Sequence, residues 1–337
     1  MTGRERIKNF IDKKPVDSVP AMPITMMFAG DFIGVPYGKY AVDYREHVRG
    51  QAAVAEAFDI DYVSAISDPA TEAHDWGAEI IFYDNQPPAI DERVALLADK
   101  SRLASLNPPD PATGKRMSNR LEVVRGLKDS CGEELMIEGW VEGPAAESSD
   151  LRGINHFMMD CLDDPEFVTD LFEVVTETAV RFARAQIEAG ADIIGIGDAA
   201  ASLVGPQIYN DLVWKYEKRL VDAVREAGAI ARLHICGQTG AICDGMAALG
   251  CEIVDLDSLA PLRPCRCDAG NEQILLGSID PVRVLRDRTP REIEAELERC
   301  WKEAGPRFII GAGCEVPRDT PHDNMRALVR FARGLSG

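Results

Sequence analysis

Along the chain, short runs of apolar and β-branched residues alternate with longer stretches whose apolar positions recur every three to four residues. Eight runs have strand character: 19–25, 61–67, 135–141, 192–197, 230–236, 252–257, 273–279 and 307–313. The intervening stretches 44–58, 165–189, 206–227, 239–249, 290–304 and 320–335 have helical periodicity. Asp164-Pro165 and Thr289-Pro290 set a capping residue before a proline at the first helical position, while Gly190, Gly228, Gly250 and Gly305 close helices. Strands alternating with helices predict parallel βαβ units, and eight of them favour a closed barrel over an open sheet. The expected fold is α/β, a single (β/α)8 TIM barrel spanning residues 1–337 as one domain. It carries an N-terminal helical extension and a long excursion after the second strand, at 83–120, marked by Pro87-Pro88 and Pro108-Pro109.

A barrel of this kind puts its chemistry at the C-terminal ends of its strands. Those ends read Asp68, Glu142, Asp198, His234 with Cys236, Asp255 with Asp257, Asp280, and Cys314 with Glu315. Asp68, Glu142 and Asp198 are the candidate catalytic carboxylates, although a carboxylate at a strand end equally serves as a turn residue. His234 and Cys236 are two apart in an apolar run, so on a strand they share a face, and Cys314 lies in a second such run. One imidazole and two thiols with a fourth position open is the ligand set of a catalytic zinc site. The plain alternative is a pair of buried cysteines beside a core histidine. The ring of carboxylates around the set favours the metal.

Composition narrows the field. The net charge is −19, from 37 basic and 56 acidic residues, which argues against nucleic acid or an anionic membrane as a partner. The apolar runs are too short for a membrane span, and the start of the chain resembles an amphipathic helix, so the expected location is cytoplasmic. There the nine scattered cysteines would stay reduced, and a disulfide framework is not expected. Cys265-Arg-Cys267, with Cys243 and Cys251, lacks the second matched pair of a zinc motif, and Cys243 is expected to be buried in a helix. His47, His74, His156 and His322 are expected at the surface or as caps. Oligomeric state is left open between monomer and homodimer.

The segments Asp192-Ile-Ile-Gly-Ile-Gly-Asp198, Leu233-His-Ile-Cys-Gly-Gln-Thr239, Leu276-Gly-Ser-Ile-Asp-Pro281 and Gly313-Cys-Glu-Val-Pro-Arg-Asp-Thr-Pro321, in this order, resemble the uroporphyrinogen decarboxylase superfamily. Within it the chain is most similar to the zinc-dependent methylcobalamin:coenzyme M methyltransferases, and the likeness covers nearly the whole sequence. The decarboxylases carry an arginine-rich segment after the first strand for substrate carboxylates. Here that place, Met22 to Gly30, holds no arginine. The resemblance implies methyl transfer between a corrinoid, methylcobalamin or a corrinoid protein, and a thiol such as coenzyme M or another acceptor. It implies Zn2+ on His234, Cys236 and Cys314, with Glu315 or Asp257 as candidates for the fourth position. Glu72-Ala-His-Asp-Trp-Gly77 imitates part of a cobalamin-binding signature but lacks its downstream elements, so the corrinoid is expected on a separate protein. Met26, Met27 and Phe28 are the candidate apolar rim for it. Two rival functions remain: a uroporphyrinogen decarboxylase or related lyase using Asp68, and a non-catalytic corrinoid-binding barrel with structural zinc.

Overall fold

The computed structural model describes residues 1–335. Among the described residues nine strands occur: β1 Tyr62–Ser64, β2 Ile80–Ile81, β3 Ala89–Ile90, β4 Met136–Glu142, β5 Ile193–Gly197, β6 Ile230–Ile235, β7 Ile253–Leu256, β8 Ile274–Ile279 and β9 Phe308–Ala312. Seven of them form one parallel sheet in the order β1-β4-β5-β6-β7-β8-β9, curled into a barrel with helices outside, while β2 and β3 pair antiparallel in the excursion. The first expected strand, 19–25, is not a strand but an extended stretch with a single bridge, Ala21 to Ile310. Pro20 and Pro23 have no N–H to give to a ladder. The stretch still fills the eighth place. Met22 N–H donates to the Ile310 carbonyl at 2.9 Å on one side, and Asp61 N–H donates to the Ala21 carbonyl at 3.3 Å on the other.

The helices 44–58, 165–189 and 290–304 appear with the expected bounds. Their ends show why: Asp164 caps the Phe167 N–H, Thr289 and Glu292 form a reciprocal capping box, and Gly190 closes its helix at φ +118°. Other bounds differ. The stretch 206–227 is interrupted by a π-helical turn at Tyr209–Val213, and 239–249 contracts to Cys243–Ala248. The excursion ends early, because Lys115–Cys131 is already helical, and two short helices, Met26–Phe32 and Tyr37–Val42, follow the first stretch.

Three side-chain expectations are overturned. His47 is fully buried, its Nε2 at 2.9 Å from the Ser64 carbonyl and its Nδ1 at 3.0 Å from Arg120. Cys243 and Cys265, expected reduced, form a disulfide, because the helices Cys243–Ala248 and Leu262–Ala269 pack side by side with the two Cα atoms 5.4 Å apart. Phe28 lines no rim. It is 1% exposed and packs on Phe58 at 5.6 Å between ring centroids, since the helix Met26–Phe32 turns it into the core. Of its neighbours, Met26 is buried and only Met27 is half-exposed.

Candidate metal centre

Inside the barrel the alternation of β4 turns Glu138, Trp140 and Glu142 inward, and that of β6 turns Arg232 and His234, with Cys236 just beyond its end, to the same inward face. Gly195 and Gly197 on β5 lie between them. A Cβ on Gly197 would come within 2.7 Å of the Trp140 ring, so glycine there leaves room for the indole. Trp140 in turn lies 6.1 Å from the His234 ring, centroid to centroid.

His234 Nε2, Cys236 Sγ and Cys314 Sγ converge although Cys314 comes from beyond the far end of β9. The distances are 3.0 Å between His234 Nε2 and Cys236 Sγ, 3.5 Å between the sulfurs, and 3.8 Å between Cys314 Sγ and His234 Nε2. Tetrahedral zinc, with bonds of about 2.3 Å to sulfur and about 2.0 Å to nitrogen, would hold such atoms roughly 3.5–3.8 Å apart. The triangle therefore fits the ion after an opening of a few tenths of an ångström along one edge. Three protein ligands leave the fourth tetrahedral position to another group.

The cause of the convergence lies one layer deeper. His234 pairs in register with Asp255 on β7, and its Nδ1 is 3.0 Å from Asp255 Oδ2. That contact fixes the ring and turns Nε2 toward the sulfurs. Arg232, fully buried, donates from Nε and Nη2 to Asp255 at 3.0 and 2.6 Å and from Nη1 to Glu138 at 2.9 Å. Burial pushes the Asp255 carboxyl up, but Arg232 and His234 more than offset it, so Asp255 stays charged. Burial likewise lowers His234, yet the bonds to Asp255 and Cys314 win and raise it to about 10. In the metal-free protein the bond from Cys236, helped by His234, drops Cys314 to about 4, while Cys236 rises far above the usual thiol range. The lowered Cys314 and the raised His234 thus support each other as an ion pair.

The remaining candidates are engaged differently. Asp198 is fully buried and accepts from the Ala146 and Ala145 N–H groups at 2.6 and 3.3 Å, capping the helix Pro144–Arg152. Asp68 accepts from Arg116 at 2.5 Å and from Ser67 at 2.7 Å. Glu142 accepts from the Trp140 indole N–H at 3.1 Å and is not part of the three-ligand cluster. Glu315 accepts from the Met27 N–H at 2.8 Å, and Asp257 accepts from the N–H groups of Gly237 and Leu259 at 2.8 and 2.9 Å; neither joins the three-ligand cluster. Trp140 and the orienting role of Asp255 escaped the sequence reading. The alternation 138-140-142 signalled an inward face, but the pairing of His234 with Asp255 is set by register between strands, which no local pattern reveals.

The uroporphyrinogen decarboxylase (URO-D) family profile matches residues 2–335. A methylcobamide:CoM methyltransferase, MtbA of Methanosarcina mazei, is 28% identical over 98% of both chains. A uroporphyrinogen decarboxylase of Synechococcus is 26% identical over 83% of this chain and 80% of its own length. The solved structure of a methyltransferase from Methanosarcina mazei superposes with a TM-score of 0.89 at 22% identity, covering 98% of each chain, and shows that the fold is shared.

Proposed function

We propose, for a chain that belongs to the uroporphyrinogen decarboxylase family, that it is a zinc-dependent methyltransferase moving a methyl group between a corrinoid and a thiol. The observation that carries this reading is the triangle of His234, Cys236 and Cys314 with its free position at the barrel mouth. Zinc bound there would hold a substrate sulfur as thiolate at neutral pH, a state that a free thiol with pKa about 8.5 mostly lacks. The protein's own residues do the rest. Asp255 and Arg232 fix the His234 ring, and Gly195 and Gly197 admit Trp140 beside it. A corrinoid brought to that sulfur would supply the methyl group: the sulfur lone pair would form the S–C bond and the electron pair of the Co–C bond would stay with cobalt. Relatives named as methylcobamide:CoM methyltransferases support the reading. We further propose one domain over residues 1–337, a cytoplasmic setting and a separate corrinoid protein as partner. Among the described residues no helix is long and apolar enough to cross a membrane.

The test is thiol-dependent demethylation of methylcobalamin, free or on a corrinoid protein, followed by its visible spectrum. We expect turnover in the wild type and none in Cys314→Ala. No zinc-dependent change with a panel of thiols, nor methylation of cob(I)alamin by methylated thiols, would refute it. The decarboxylase alternative draws support from relatives of that name. The arginine-free segment Met22 to Gly30 opposes it, and coproporphyrinogen formation from uroporphyrinogen at a rate typical of decarboxylases would favour it instead.

A further inference from the structure

Among the described residues six arginines are buried, and four of them meet a carboxylate: Arg6 meets Asp61, Arg116 meets Asp68, Arg152 meets Asp160 and Arg232 meets Asp255. Arg120 donates to the same Ala41 carbonyl as Arg116, within the field of Asp68. Arg266 has no acid beside it. It is 8% exposed and donates to four backbone carbonyls: from Nε to Ala304 at 2.6 Å, from Nη1 to Gly270 and Gln273 at 2.7 Å each, and from Nη2 to Arg307 at 2.8 Å. Its charged neighbour is a second cation, and burial, then the Arg307 charge, push its pKa down. Arg307 is half-buried, held by the carbonyls of Phe10 and Ile11, and 5.0 Å from the Phe10 ring centroid. The acid that acts on it, Glu272, is paired with Lys13.

Both guanidiniums line one cavity of about 660 Å³. It lies where the helices Gly3–Ile11, Leu262–Ala269 and Pro290–Ala304 end and β8 and β9 begin, on the face of the barrel opposite the metal centre. Carbonyls at helix C-termini carry partial negative charge, which explains why arginines settle there. They satisfy hydrogen bonds but set no net charge against the two cations. The rest of the lining supplies none either. Lys13 pairs with Glu272, Lys14 with Asp12, Lys302 with Glu298 and Arg299 with Glu303, so each of these carboxylates already has its cation. Arg266 and Arg307 therefore stand at the cavity as two uncompensated positive charges, in a chain whose net charge is −19. A guanidinium has five N–H groups. Arg266 uses four of them and Arg307 three, counting its 3.5 Å bond to the Glu272 carbonyl, so donors remain on both.

We propose that this cavity binds a small organic phosphate monoester, its dianionic phosphate set against Arg266 and Arg307 and its carbon skeleton against Val16 and Pro306. Two fixed guanidiniums match two negative charges, and the planar fork of each offers paired N–H groups to phosphate oxygens. The carbonyls that pin both side chains leave little to be ordered on binding. An ester with a single negative charge leaves one guanidinium uncompensated. Nucleic acid carries the same phosphate chemistry, but the net charge of −19 disfavours so large a polyanion and leaves the small ester. The site is separate from the zinc chemistry and does not rest on the methyltransferase reading.

Phenyl phosphate and phenyl sulfate, alike in shape and differing by one charge at about pH 8, test this when titrated calorimetrically into the purified full-length protein. We expect phenyl phosphate to bind and phenyl sulfate to bind more weakly. In Arg307→Gln the phenyl phosphate affinity should fall by about tenfold or more, the loss of one charge-assisted hydrogen bond. Should that variant fail to fold, Lys14→Glu and Lys302→Glu, both at exposed positions of the lining, should each weaken phenyl phosphate by turning an attraction into a repulsion. No heat of binding at millimolar phenyl phosphate, equal affinity for the two esters, or an affinity that these variants leave unchanged overturns the inference. An anion held at the zinc instead would give the last of these results.

Discussion

Replacing Asp255 by asparagine separates the two tasks of this carboxylate. It is 2% exposed and accepts from Arg232 at 2.6 and 3.0 Å and from His234 Nδ1 at 3.0 Å. Oδ2 alone accepts from His234 Nδ1 and from Arg232 Nη2 and Nε, while Oδ1 accepts only from Arg232 Nε, so an asparagine must turn its NH2 either on Arg232 Nε or, in the flipped orientation, on His234 Nδ1 and Arg232 Nη2. In the flipped orientation His234 loses the partner that keeps the proton on Nδ1, and the tautomer with Nε2 free for metal is no longer favoured. Loss of such an orienting partner costs about 10–100-fold in metal affinity, or roughly 1.4–2.8 kcal/mol. Independently, Arg232 retains only Glu138 against its buried charge, a change that costs about 3–5 kcal/mol of stability. Urea unfolding in chelator measures the second effect. Repeating it at fixed free zinc measures the first, because the stabilisation by zinc should shrink by the lost binding energy. A stability change under about 0.5 kcal/mol together with zinc affinity within twofold of wild type would show that the Asp255 contacts neither hold the charge nor orient the ring.

Cys236→Ser and Cys314→Ser should each lose most bound zinc on elemental analysis, since a hydroxyl replaces thiolate poorly on this ion, and undiminished zinc in both would refute the ligand assignment. In chelator, stability should fall as pH rises from about 5 to 8. The raised carboxyls Glu72, at about 7, and Asp198, at about 6, bind protons in the folded protein that the unfolded chain has already released, so their contribution is full below about pH 4 and lost through pH 6–7. Scanning calorimetry should show a lower Tm at pH 8 than at pH 5.5. A Tm that rises over this interval contradicts the buried-carboxylate account.

The fold was largely legible because its strands and helices are locally consistent. Asp164-Pro165 and Gly190 bracket a helix whose bounds the structure reproduces, and the apolar runs after residue 135 all became strands. The failures are equally local in cause. Pro20 and Pro23 let the first stretch close the barrel with a single bridge in place of a ladder, and the π turn at Tyr209–Val213 has no composition signal. At the site, His234 and Cys236 were legible from their spacing on one strand, and Cys314 from its position after the last. The Asp255 contact, the place of Trp140 beside His234 and the Cys243–Cys265 disulfide were not, because each depends on how neighbouring elements align in space.

The central claim is that His234, Cys236 and Cys314 hold a zinc ion to which a substrate thiol adds. X-ray absorption at the zinc edge tests it most directly. In the purified protein it should report two sulfurs at about 2.3 Å and one imidazole nitrogen, completed by a light atom, and addition of a reactive thiol should raise the sulfur count to three. Absence of zinc, or a ligand shell that no thiol alters, would contradict the account.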